Sequence, residues 1–323
     1  MHGPGPQSTT RNSARVTPYR NYDIHPIRGN MKLHGILPAC VTPFIDGRAD
    51  AAAMQENIAR WLETGVHGFV IFGSTGEFPY LEDEERGTIL AAARAAIPED
   101  KIMLAGCGAE STERTLRYLR EAAAHGVQAA LVVTPVYYTR GNTEAQRRYY
   151  LDLAEASPIP ILIYNVPAFT AYELPVELVL ELAQHPNIAG IKDSSNYGRR
   201  AVIEVAEGPE DFAVFSGNPN YVFPALAMGA AGSITAFANI IPELMVAIYR
   251  AVQAGDMATA ARVQVAVSRL HWEIGPLGSP ALKAILEHRG FRPGRPRRPL
   301  LPLSPDERAR AVAAWERAMQ AVG

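Results

Sequence analysis

The segment Ile188-Ala189-Gly190-Ile191-Lys192-Asp193-Ser194-Ser195 is a short apolar run with a lysine near its end. Its length and composition read as a buried strand, yet a buried ammonium is expensive to desolvate and seldom occurs without a partner or a purpose. Two explanations compete for Lys192. It closes an ion pair with a neighbouring carboxylate, or it is a nucleophile whose amine the pocket keeps free to attack a carbonyl. The octapeptide by itself favours the ion pair, because structural lysine pairs outnumber catalytic ones.

Working outward, seven further runs have the same character: "GILPACVTPF" from Gly35, "GFVIFGSTGE" from Gly68, "KIMLAGCG" from Lys101, "AALVVTP" from Ala129, "PILIYNVP" from Pro160, "FAVFSGN" from Phe212 and "GSITAFAN" from Gly232. Most are separated by Ala-, Leu- and charge-rich segments of helical period, such as 51–64, 83–96, 112–125 and 174–184. Strand–helix alternation over about 210 residues predicts an α/β fold, a closed parallel (β/α)8 TIM barrel over 31–240, with an open doubly wound sheet as the rival. After residue 240 the pattern is helix alone, at 242–254, 257–274, 280–289 and 305–322, which predicts a C-terminal helical extension over 241–323. The first thirty residues are polar and rich in Pro and Gly, without periodicity, and are expected to be a disordered extension ahead of a fold beginning at Met31. The basic stretch "GFRPGRPRRP", 290–299, reads as a solvated loop, since its prolines forbid a helix.

Bulk properties narrow the function. The 323 residues carry 31 Lys+Arg against 33 Asp+Glu, so no basic field points to nucleic acid or an anionic membrane. Small-molecule chemistry is the default. The two cysteines, Cys40 and Cys107, lack any ligand spacing and argue for a reducing compartment, read here as the cytoplasm. No apolar run reaches the ~18 residues of a membrane span, and the opening residues lack the apolar core of a signal peptide. The eight histidines show no HxH or HExxH spacing, which gives no support to a metal site.

In a (β/α)8 barrel the active site lies at the C-terminal ends of the strands, so polar groups that close apolar runs are the candidates. They are Ser74, Thr75 and Glu77 after the second run, Tyr137 and Tyr138 after the fourth, Tyr164 at the end of the fifth and Lys192 in the sixth. A lysine that attacks a ketone needs a dry pocket, donors for the acid's carboxylate and a proton shuttle. Tyr164 can be that shuttle, Ser74 and Tyr137 can relay its proton, and the glycine-flanked Ser74-Thr75 turn offers N–H groups and hydroxyls. Each alone has a plainer reading. "GSTGE" is also an ordinary strand-to-helix turn or a phosphate nest lacking the P-loop lysine, and Tyr164 is also a core aromatic.

Four motifs, "GSTGE", "TPVYY", "YNVP" and "GIKDSS", in this order and at these intervals, resemble the dihydrodipicolinate synthase and N-acetylneuraminate lyase family of pyruvate-dependent class I lyases. The fuller strings "GSTGEFPYL", "AGCGAEST" and "LPVELVLELAQHPNIAGIKDS" are most similar to its 4-hydroxy-2-oxoglutarate aldolase-like members. The resemblance implies that Lys192 forms a Schiff base with pyruvate or a 2-oxo acid and that no other cofactor is needed. It also implies that Tyr164 is the general acid/base, that Ser74 and Tyr137 complete its relay, and that Thr75 holds the carboxylate. Gly217 and Ile234 match positions that line the pocket through backbone contacts. In the family the relay tyrosine is lent by a second copy, so a homodimer or homotetramer is expected. Phe169 stands where the synthases carry an arginine that binds the aldehyde's carboxylate, and Gly217-Asn218-Pro219-Asn220 lacks the acidic residues of sialic acid lyases. The expected activity is therefore reversible cleavage of a 4-hydroxy-2-oxo acid to pyruvate and an aldehyde. Dihydrodipicolinate synthase or a 2-keto-3-deoxy acid aldolase or dehydratase is the alternative, and an idle 2-oxo acid sensor or assembly partner is the reading from another class.

Overall fold

A computed structural model describes residues 32–196 and 198–321; the expected extension over 1–30 and the start at Met31 lie outside them. The strands are β1 (Gly35–Pro38), β2 (Phe44–Ile45), β3 (Arg48–Ala49), β4 (Gly68–Ile71), β5 (Ile102–Gly106), β6 (Ala129–Val133), β7 (Ile161–Asn165), β8 (Ile188–Asp193), β9 (Ala213–Ser216) and β10 (Gly232–Thr235). β2 and β3 form a small antiparallel hairpin. The other eight form one parallel sheet in the order β1-β10-β9-β8-β7-β6-β5-β4, and a parallel bridge from Ala39 to Val70 joins the first to the last. A doubly wound sheet reverses its order midway and leaves two open edges; this sheet closes as a (β/α)8 barrel. All eight apolar runs are its strands.

Parallel strands covered on both faces are apolar at every position, but their side chains still alternate in direction. Leu37, Val70, Leu104, Leu131, Leu162, Phe215 and Ile234 fill the barrel. Ile36, Phe69, Ile71, Met103, Val132, Ile163 and Ile191 pack outward against the helices. This parity places the site. Leu162 faces inward and so does Tyr164 two residues on; the register pairs Leu162 with Gly190 and Tyr164 with Lys192, so Lys192 faces inward as well.

The sequence reading ended the barrel at residue 240. We place its end after the helix Pro242–Gln253, which follows β10 and packs on β1, and so is the eighth helix of the alternation. Three further helices follow, Met257–Ile274, Gly278–His288 and Pro305–Gln320. The last is docked by Trp315, whose Nε1 donates to the Ile240 carbonyl at 2.8 Å.

The basic stretch at 290–299 is a strap rather than a solvated loop. Phe291 is buried, Gly294 bridges Phe44, and Arg295 N donates to the Phe44 carbonyl at 2.9 Å. Its prolines favour extended backbone, and extended backbone lies flat along the hairpin.

Candidate active site

Lys192 and Tyr164 sit opposite one another on adjacent strands, at 3% and 5% exposure. The Lys192 ammonium is 4.2 Å from the centroid of the Tyr164 ring, a cation–π contact in a dry setting. The Tyr164 hydroxyl lies 3.4 Å from Ser74 Oγ, so the ends of β4, β7 and β8 converge. Among the described residues no carboxylate pairs with Lys192; that of Asp193, next in sequence, points the other way.

Asp193 Oδ2 accepts from Arg200 Nε at 2.9 Å, and Oδ1 accepts from Ser195 N at 2.7 Å and Asn165 Nδ2 at 3.1 Å. Asn165 follows Tyr164 and is in register with Asp193. One step along each strand therefore gives the Lys192–Tyr164 pair inside the barrel and a clamp outside it, which holds the two strands in register. Arg200 Nη2 also donates to Glu204 at 3.3 Å. Burial, with Asp193 adding, pushes the Glu204 carboxyl well above the usual carboxylate range.

The turn after β4 is unusual backbone. Phe72 and Glu77 hold left-handed conformations, φ 61° and 58°, that non-glycine residues adopt only when their surroundings impose them. Between them runs the 3₁₀ turn Ser74–Gly76, with Thr75 buried. Gly106 at the end of β5 lets this turn approach, because a Cβ there would lie 2.0 Å from the Phe72 carbonyl oxygen. Gly73, Ser74, Gly106, Gly108, Val133 and Tyr164 line a small cleft in front of it.

The remaining predicted residues are distributed as follows. Ile234 is fully buried inside the barrel, paired with Leu37. Gly217 lies just past β9, where its N–H donates to the Asp193 carbonyl at 2.6 Å and any Cβ would collide with Ser194. Tyr137 is 77% exposed after β6, edge-on to Tyr138 at 4.9 Å, and Phe169 is 75% exposed on the short helix Pro167–Thr170. A single chain thus unites Lys192, Tyr164 and Ser74 and leaves Tyr137 and Phe169 on its surface.

Among the described residues no group of three or more His, Cys, Asp or Glu is placed to hold a metal, and no helix is long and apolar enough to cross a membrane. Cys40 and Cys107 are buried free thiols, and burial pushes that of Cys107 up to about 12.

The family model that matches spans residues 32–318 and describes the dihydrodipicolinate synthetase family. The chain belongs to that family. It is similar to the 4-hydroxy-tetrahydrodipicolinate synthase of Methanoculleus marisnigri, 41% identical over 75% of this chain and 82% of the relative. It is also similar to that of an Exiguobacterium species, 35% identical over 87% and 97%. Among solved structures it superposes with TM-score 0.83 on YagE, a prophage protein of this synthase family from E. coli K12 in complex with pyruvate; the two are 26% identical, over 89% of this chain and 99% of that one. A family member of this kind is a pyruvate-dependent carbon–carbon lyase that works through a Schiff base. The relatives bear the synthase name, not that of the 4-hydroxy-2-oxoglutarate aldolases to which the motif strings pointed. Short strings around a shared Schiff-base centre report the half of the site common to the family, and they discriminate poorly between acceptors.

Proposed function

We propose that Lys192 attacks the ketone carbon of pyruvate and, with loss of water, holds it as an imine. Tyr164 takes and returns the protons of the carbinolamine and enamine steps, and Ser74 passes them on. The Thr75 hydroxyl and the N–H groups of its turn hold the pyruvate carboxylate, with Gly217 and Ile234 forming the floor. Exposed on its own chain, Tyr137 completes the relay of a second copy in a homodimer, alone or within a homotetramer. No cofactor beyond the imine takes part, and the compartment is the cytoplasm. The observation that carries this reading is a buried lysine without a carboxylate partner among the described residues, in register with a tyrosine whose hydroxyl meets Ser74.

For the acceptor, the relatives' name supports condensation of pyruvate with aspartate semialdehyde, the 4-hydroxy-tetrahydrodipicolinate synthase reaction. One observation favours the second reading, an aldolase for 4-hydroxy-2-oxo acids: Phe169 offers no charge-assisted bond where the synthases place an arginine.

Borohydride reduction with pyruvate should add a stable adduct at Lys192, and Lys192→Ala should abolish adduct and turnover together; an unchanged wild-type mass refutes the mechanism. Comparing kcat/KM for aspartate semialdehyde and glyceraldehyde, before and after Phe169→Arg, decides the acceptor. A missing charge-assisted contact is worth ~1.5–3 kcal/mol, roughly ten- to a hundredfold, so on the aldolase reading the arginine should restore that preference. On the synthase reading the wild type already uses aspartate semialdehyde well and the arginine adds nothing.

A further inference from the structure

Glu77 closes the turn that carries Ser74 and Thr75, and its carboxylate is buried at 2% exposure against Lys283 of the C-terminal region at 3%. Lys283 Nζ lies 2.7 Å from Glu77 Oε1 and donates to the carbonyls of Thr42 and Arg295, each at 2.9 Å. Arg297 N donates to Glu77 Oε2 at 2.8 Å, while the Arg297 guanidinium is committed to Glu85 and to the carbonyls of Tyr80 and Gly47. Thr42 Oγ1 donates to the Gly76 carbonyl at 2.7 Å, and Ser279 Oγ reaches the Thr75 carbonyl at 3.5 Å. Thr75, Gly76 and Glu77 are thus each tied from outside the turn, and Ser279, Lys283 and Arg297 all come from beyond the barrel.

A buried ion pair adds little net stability, because desolvation offsets much of its attraction, but it fixes geometry tightly. Here it fixes a residue whose left-handed backbone aims the preceding turn. We infer that Lys283, with the Arg297 backbone, is a positioning residue: through Glu77 it sets the direction of the Ser74–Thr75 donors and hence the grip on the pyruvate carboxylate. The inference rests on the reading that this turn binds pyruvate. It makes the C-terminal region part of the active-site apparatus, although none of its side chains touches substrate.

The test uses Lys283→Met, Glu77→Gln and the double mutant in the full chain, with borohydride trapping as a function of pyruvate concentration, KM for pyruvate and for the aldehyde, and Tm. Each single mutant leaves one buried charge unpaired and loses Tm. The double mutant removes both charges and regains Tm to within a few degrees. Its half-saturating pyruvate concentration nevertheless stays about tenfold above wild type, with maximal trapping and the aldehyde KM unchanged. A double mutant with wild-type Tm and wild-type half-saturation shows the pair to be structural only and overturns the inference. Pyruvate and aldehyde constants that rise together overturn it too, as does a double mutant that cannot fold, since the pair is then a requirement of the fold. Wild-type protein that traps no pyruvate at all refutes the underlying reading, and does so before any variant is made.

Discussion

Gly106→Ala tests how closely the β4 turn must approach β5. The added Cβ would lie 2.0 Å from the Phe72 carbonyl oxygen and 2.8 Å from its carbon, where real contacts begin near 3.0 Å. Relief therefore needs a separation of about 1 Å between two backbones. Phe72 cannot yield alone: its ring is buried, with the Arg86 guanidinium 4.6 Å from the centroid. The turn moves as a unit and takes Ser74, two residues on, away from its 3.4 Å contact with Tyr164. Overpacking of this kind costs about 1–3 kcal/mol, roughly 1.5–4.5 °C in Tm for a chain of this size. A reactive-site displacement of ~1 Å costs on the order of 10²-fold in kcat/KM. The matched control is Gly87→Ala, inside the helix Asp83–Ala96, where the new methyl meets only side-chain ends, the nearest being Glu121 Oε1 at 3.4 Å. It should gain about 0.5–1 kcal/mol and leave turnover alone. Scanning fluorimetry and steady-state kinetics read both variants. Wild-type turnover and Tm in Gly106→Ala refute the argument that this glycine admits the turn.

Tyr164→Phe keeps the ring beside Lys192 and deletes the hydroxyl, so Tm should hold while turnover falls by about 10²-fold or more; near-normal turnover puts the proton shuttle elsewhere. His67, at the end of the barrel opposite the site, accepts from Ile36 N at 3.1 Å through Nδ1. Burial, then His34, Lys101 and Arg250, lower its pKa from 6.5 to about 4. The unfolded chain then takes up a proton that the folded protein refuses: stability due to this group is unaffected above about pH 6.5, falls as pH drops toward about 4, and levels off below. Urea midpoints at pH 7 and 4.5 should differ less in His67→Gln than in wild type; an equal difference in both removes His67 as the cause.

The barrel was legible because each parallel strand, covered on both faces, is written as a compact apolar run, and eight such runs are hard to arrange otherwise. Lys192 and Tyr164 were legible for the converse reason: a polar group closing an apolar run stands out. The acceptor was not, because Phe169 and Tyr137 lie on the surface, where their role depends on what a second molecule or substrate brings. Nor was the Glu77 network. Arg297 is 220 residues from Glu77, and a charge whose partner is that distant looks solvated when read locally. The same proline-rich stretch that reads as a solvated loop lies as a strap along Phe44. Nothing in "IKDSS" announces Arg200 or Asn165 as partners of Asp193.

The tie between Glu77 and residues so late in the chain also sets a timetable for synthesis. Translation at about 5–20 residues per second separates Glu77 from Arg297 by roughly 10–40 s. Over that interval the nascent chain has its Ser74–Thr75 turn, with Thr42 on the Gly76 carbonyl, but lacks the Lys283 and Arg297 contacts to Glu77. A polypeptide halted near residue 250 contains every barrel strand, the lysine and the tyrosine, yet has no Lys283 or Arg297 latch on the Ser74–Thr75 turn. If that turn grips pyruvate as proposed, full affinity arrives only with the last few dozen residues, and a stalled or clipped product holds its substrate more weakly even where its barrel has closed.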